Sequence, residues 1–233
     1  MFAYCGFIVI QVFPALVLST FYVVSHPSLT LSSLAFKDLQ LPPTLVGISA
    51  IISQIMLILW VFFLVKIFHG LNLWTAIPFI GKKAIRWRIA IGAGFLVFVV
   101  NITIMLFIPP SNMDAPLTKL TSTTEGLLYF GFLALFLAPV GEELFFRGYI
   151  YSAVKDKWGA FWAVIISSIL FAFPHSFQLG DYWQGTILIG LLGVVTGVLR
   201  WLSGGIKSAI ICHFFYNLFL VSLEVLLRVL HYS

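Results

Sequence analysis

"APVGEELFFRGYIY", residues 138–151, places two adjacent glutamates, Glu142 and Glu143, directly behind the apolar run "GLLYFGFLALFL" at 126–137. An ionised carboxylate in hydrocarbon costs at least a few kcal/mol, so an acid inside a membrane segment marks a functional site. Whether these acids lie in a membrane is decided by the rest of the chain. It is 61% hydrophobic with only 9% charged residues and a mean hydropathy of +1.08. Soluble domains carry roughly 25% charged residues, so the composition describes a polytopic, all-α membrane protein. No polar stretch is long enough for a second, soluble domain. The net charge of +5 suits cytoplasmic loops, and nothing in it requires a nucleic-acid partner. Cys5 and Cys212 both lie in apolar runs, which argues against a disulfide framework.

Apolar stretches of spanning length recur at 4–24, 45–68, 89–109, 126–153, 159–177, 183–202 and 206–229, giving about seven helices. The first is read as a retained helix rather than a cleaved signal peptide, because no basic region precedes it. With the N-terminus inside, Lys66, Lys82, Lys83, Arg86, Arg88, Arg147, Lys155, Lys157, Arg200 and Lys207 fall on the cytoplasmic side. Only Lys37, Lys119 and Arg228 fall outside, so the positive-inside rule favours N-in and C-out. The strip "PSLTLSSLAF" (27–36) is expected on the outer surface, and the aromatic and basic segment 69–88 at the cytoplasmic interface. Residues 1–119 are read as spanning helices of unassigned role, and 120–233 as the functional core of a single membrane domain. Trp158, Trp162, Trp183 and Trp201 read as interface anchors. Gly190, Gly193 and Gly197 suit close helix packing, and Gly204–Gly205 a turn.

Of the eight acidic residues, only Glu142, Glu143 and Glu224 fall within apolar spans. Glu224 has Arg228 four residues later, the spacing of a structural pair. His175 and His213 are likewise the two histidines inside spans, and Asn217 follows His213 by four positions. Glu143 and Arg147 are also i and i+4, which predicts an ion pair along one face. Glu142 is rotated about 100° away and faces something else. Phe171 and His175 share a face, with Pro174 positioned to bend their helix. At 1.5 Å rise per residue, Glu142, His175 and His213 all fall within a core about 30 Å thick, so one shared cavity is geometrically allowed.

A carboxylate beside imidazoles can deprotonate a water and later protonate a leaving amine. An amide or imidazole N–H can stabilise the tetrahedral oxyanion. Alternatively, Glu142, His175 and His213 would hold Zn²⁺, whose bound water ionises near neutral pH. Both schemes hydrolyse a peptide bond. Competing readings are interhelical hydrogen-bond glue and a proton-coupled transporter.

The motifs "EELFFR" (142–147), "FAFPH" (171–175) and "HFFYN" (213–217) stand in that order on three apolar segments. Together they resemble the three motifs of the CPBP family, the CAAX-processing and bacteriocin-processing intramembrane proteases related to the Ras-converting enzyme. The resemblance covers roughly residues 120–220 and implies an intramembrane endopeptidase; the small size and lack of targeting signals lead to the expectation of a bacterial plasma membrane. Its substrate would be a membrane-associated or lipid-modified polypeptide. It implies Glu142 as general base, Glu143 and Arg147 as an orienting pair, and His175 as the residue that positions or activates the water. His213 and Asn217 would stabilise the oxyanion. Zinc-dependent and metal-free mechanisms are both compatible with the resemblance, as is a catalytically silent scaffold or immunity partner.

Overall fold

The computed structural model describes residues 2–25, 41–70, 73–83, 85–109 and 120–232. Among them every regular element is helical. These are α1 (Phe2–Ser25), α2 (Pro43–His69), α3 (Leu73–Ala76), α4 (Trp87–Phe107), α5 (Thr124–Phe132), α6 (Ala138–Glu143), α7 (Tyr151–Leu179), α8 (Trp183–Ser203) and α9 (Lys207–Tyr232). Two π-helical turns, Leu133–Leu137 and Leu144–Ile150, join α5 to α6 and α6 to α7. The strip 27–36, Lys37 and Lys119 lie outside the described residues.

Among the described residues six helices are long and apolar enough to cross a membrane. One of them, Thr124–Leu179, has 56 residues and would reach about 84 Å if straight, far beyond one bilayer. It breaks at Gly159, whose φ of 83° and ψ of 172° are non-helical and suit a residue without a Cβ. The expected spans 126–153 and 159–177 are therefore two arms of this broken helix, and the described residues form seven arms. Large apolar side chains such as Phe21, Leu106, Phe107 and Leu128 point outward, as lipid-facing residues do.

Ring contact between Phe2 and Phe68 runs α1 antiparallel to α2. Gly94 lies against the Cys212 carbonyl and Asn101 meets Tyr216, which runs α4 parallel to α9. At the end shared by the start of α4 and the start of α9, the 78–83 segment pairs with the α8–α9 turn. Ile206 N–H reaches the Pro78 carbonyl at 3.1 Å, Lys207 N–H the Phe79 carbonyl at 3.0 Å, and Lys83 N–H the Ser203 carbonyl at 3.1 Å. The expected interfacial segment thus tucks partly inward, with Leu73 and Ile77 buried. The Gly204–Gly205 turn is confirmed: Gly204 has φ 77°, and backbone of the 79–81 segment fills the space a Cβ on Gly205 would need.

The charge count needs one correction. Arg147 (0% exposed) and Arg200 (5%) lie inside the bundle, so neither is a loop charge. Lys66, Lys82, Lys83, Arg86, Arg88, Lys155, Lys157 and Lys207 remain at one end, referred to below as the basic end. The Glu224–Arg228 pair forms at 2.8 Å near the other end, where Arg228 also donates to the carbonyls of Thr121 and Ser122.

Helices α7 and α8 pack closely because Gly193 has no side chain. A Cβ there would sit 3.1 Å from Arg147 Nη2 and 3.1 Å from Ser168 Cβ. Gly193→Ala is expected to destabilise the protein by about 1–3 kcal/mol through overpacking. Gly92→Ala, which meets open space, serves as the control. Equal melting temperatures for the two in detergent would refute this packing account.

Candidate active site

Backbone geometry sets the site. Ahead of Pro139, Ala138 N–H bonds to the Leu133 carbonyl rather than to that of Ala134, its α-helical partner. The next donor, Pro139, has no N–H. The Ala134 carbonyl is thus left for another partner, and Asn217 Nδ2 donates to it at 2.7 Å. The second π turn repeats the pattern. Tyr151 N–H reaches Phe146, which takes from the Arg147 carbonyl its α-helical donor. Arg200 Nε donates to that carbonyl instead, at 3.0 Å. Near the second motif, Pro174 cannot donate to the Leu170 carbonyl, and the Tyr4 hydroxyl does so at 3.1 Å.

Between the two π turns lie Glu142 and Glu143. Glu143 is fully buried, and its Oε1 accepts from Arg147 Nη1 at 3.3 Å and from His213 Nδ1 at 3.1 Å. Arg147 is equally buried; its Nη2 donates to the Gly193 carbonyl at 2.7 Å, and its guanidinium lies 4.6 Å from the Phe171 ring centre. The expected i, i+4 pair is therefore present. Glu142 turns the other way, as the helical rotation implied: its Oε1 accepts from Gln54 Nε2 at 3.3 Å, and its Oε2 stands 4.0 Å from His213 Nε2.

Phe171 ties the two histidines together. Its ring centre is 5.0 Å from that of His175 and 5.7 Å from that of His213, the latter edge-on at 89°. Its carbonyl accepts from His175 Nδ1 at 2.8 Å. A carbonyl can only accept, so Nδ1 carries the proton and Nε2 of the neutral ring presents a lone pair. The same logic assigns His213: Nδ1–H faces a carboxylate, so Nε2 donates only when the ring carries both protons. Among the described residues no hydrogen bond joins His175 to either glutamate. They meet across a cavity of about 330 Å³, whose lining includes Glu142, His175, His213 and Asn217. Glu143 and Arg147 lie behind this wall.

Several lining residues come from the first 119 positions: Gln11 of α1, Ser49, Ser53 and Gln54 of α2, and Asn101 of α4. Sequence reasoning left these helices without a role. The signal was present, since Gln54 in "ISQIML" is a buried polar residue in an apolar span, like the glutamates. No three His, Cys, Asp or Glu side chains among the described residues come together in a way that would hold a metal ion. Glu142, His175 and His213 share the cavity without forming such a set, and no step below is routed through a metal.

The fold and the cavity define an all-helical membrane protein with ionisable groups gathered in its interior. The family described as Rce1-like, type II CAAX prenyl endopeptidase Rce1-like, matches residues 124–219, which hold all three motifs. The UPF0177 protein YxdF of Lactococcus lactis subsp. lactis (strain IL1403) is 29% identical over 142 residues, covering 59% of this chain and 75% of that protein. No solved structure matches. At family level, residues 124–219 are thus similar to proteins of the CAAX-protease type.

Three substitutions test the geometry. Arg147→Ala leaves Glu143 as an uncompensated buried charge and is expected to cost about 3–5 kcal/mol. Wild-type melting in detergent would refute the ion pair. Asn217→Ala strands the Ala134 carbonyl, at a cost of about 1–3 kcal/mol. Pro139→Ala restores a backbone N–H beside it, so it is expected to stabilise the Asn217→Ala protein more than it stabilises wild type. Equal effects in the two backgrounds would mean that Asn217 does not serve that carbonyl.

Proposed function

We propose that the protein is an intramembrane endopeptidase that hydrolyses a peptide bond of a membrane-associated or lipid-modified polypeptide in the central cavity. The observation that carries this reading is convergence. Glu142, His175, His213 and Asn217 come from motifs spread over more than seventy residues and line one cavity.

The 4.0 Å gap between Glu142 Oε2 and His213 Nε2 accommodates a water about 2.8 Å from each. Glu142 takes a proton from that water as the resulting hydroxide attacks the scissile carbonyl carbon. Gln54 Nε2–H holds the far oxygen of the same carboxylate, so the rotamer that faces the cavity is fixed. His175, with its Nε2 lone pair, accepts a hydrogen bond from the water and orients it. The oxyanion of the tetrahedral intermediate is met by the second amide hydrogen of Asn217 and by Nε2–H of doubly protonated His213. As the C–N bond breaks, Glu142 returns its proton to the departing amine. Glu143, paired with Arg147, holds His213 Nδ1–H and so fixes the ring orientation.

Glu142→Gln and His213→Ala are each expected to lower cleavage of a membrane-tethered peptide by at least about 100-fold. Glu142→Gln should leave the melting temperature close to wild type, since the Glu143–Arg147 pair stays intact and the substituted amide keeps an oxygen for Gln54. Retained turnover in either variant would remove that residue from the mechanism. A chelator is expected to leave cleavage unchanged. Loss of activity on chelation, restored by Zn²⁺ and accompanied by stoichiometric zinc in the purified protein, would displace Glu142 as the direct base.

A further inference from the structure

The cavity occupies only one end of the bundle. From Glu142 it runs toward the start of α2, through Ser49 and Val46, toward the end of α4, through Asn101, and to the α7–α8 turn. At that turn it is lined by Gln178, which is exposed, and by the partly exposed Leu179 and Tyr182. In the opposite direction the bundle is closed. Leu57, Val61 and Leu64 of α2 and Phe145 and Phe146 of the second π turn are each 0% exposed. They join one continuous apolar core with Ile77 and Ile206, beneath which the 78–83 segment pairs with the α8–α9 turn. Among the described residues a polypeptide therefore reaches Glu142 from the α7–α8 turn end and has no path through the other.

Charge distinguishes these two ends. Among the described residues the sealed end carries Lys66, Lys82, Lys83, Arg86, Arg88, Lys155, Lys157 and Lys207 against Asp156. The open end carries Arg228 against Glu125, Asp181 and Glu224, and Arg228 is already bonded to Glu224. Short basic loops stay on the cytoplasmic side of a membrane, and a bias of eight against one sets the orientation. The buried Arg147 and Arg200 contribute nothing to it.

We infer that the cavity takes its substrate from the extracytoplasmic face, so that its substrates are exported or outward-displayed polypeptides rather than cytoplasmic proteins. This rests on the peptidase reading of the cavity for the word substrate, whereas the sidedness stands on the packing and the charges alone. Helix α2 contributes the wall on which the polypeptide is received, through Ser49, Ser53 and Gln54, all of them uncharged hydrogen-bonding groups. Such a lining suits the amide groups of an extended peptide, which needs donors and acceptors inside a membrane.

The test reads access and cleavage separately. Single cysteines are placed at the cavity wall (Ser49→Cys), at its mouth (Gln178→Cys) and at the sealed end (Lys83→Cys), in a Cys5→Ser background with the buried Cys212 retained. Intact bacterial cells expressing each variant are treated with a small, charged, membrane-impermeant methanethiosulfonate. Modification of Gln178→Cys and Ser49→Cys is expected in intact cells, at least about tenfold faster than that of Lys83→Cys, which reacts only after permeabilisation. The reverse order, or a Ser49→Cys that reacts only after permeabilisation, overturns the inference. A peptide reporter is then tethered on either face of the membrane. Cleavage confined to the outer reporter is the expected result, and cleavage confined to the inner one overturns the inference. The expected labelling with neither reporter cut, by a protein that also cleaves no peptide in detergent, sinks the peptidase reading while leaving the outward-facing cavity in place.

Discussion

A guanidinium with no exposure to solvent, in the middle of an apolar bundle, is the constraint around which the rest is arranged. Arg147 must be neutralised, because an unpaired charge in that setting is too costly to keep. One turn back, Glu143 supplies the opposite charge; the Gly193 carbonyl takes a second donor and the Phe171 ring covers the guanidinium face. Each partner has a further consequence. Glu143 also binds His213, so α9 is brought in register with α6. Gly193 requires α8 to approach without a side chain. Phe171 carries His175 one turn further along α7. The residues proposed to act on substrate are thus positioned by the same contacts that neutralise one buried cation.

The backbone adds a second layer. Each π turn removes a donor from one carbonyl, and each orphaned carbonyl is met by a side chain from a helix much later in sequence. Asn217 serves Ala134, and Arg200 serves Arg147. A buried carbonyl left without a partner costs about 1–3 kcal/mol, so these bonds specify which helices adjoin. Asn217 consequently has two duties, one to the fold and one proposed toward the reaction, and an amide with two N–H groups can perform both.

How far this was legible in the sequence depends on the kind of interaction. Spanning segments were legible because hydrocarbon demands long apolar runs. The Glu143–Arg147 and Glu224–Arg228 pairs were legible because i, i+4 neighbours meet on any near-helical backbone, even across the junction with a π turn. Burial of Arg147 and Arg200 was not, since a positional count treats every arginine near a span end as a loop charge. The link between Gln54 and Glu142 was hidden for another reason. It joins residues 88 positions apart, and no local period points from one to the other. The role of Phe171 as a spacer between two histidines was half legible: its shared face with His175 follows from spacing, its contact with His213 does not.

The two carbonyl bonds also order events in time. While the chain is being made, α5, α6 and the turns beside them enter the membrane before α8 and α9 exist. The carbonyls of Ala134 and Arg147 are then uncovered, and Glu143 lacks His213. Only α9 completes this set, so the half-made protein holds its acids in an unfinished environment with no assembled cavity. The proposed site is therefore complete only once α9 is in place, and a chain interrupted short of Asn217 lacks the amide that serves the Ala134 carbonyl.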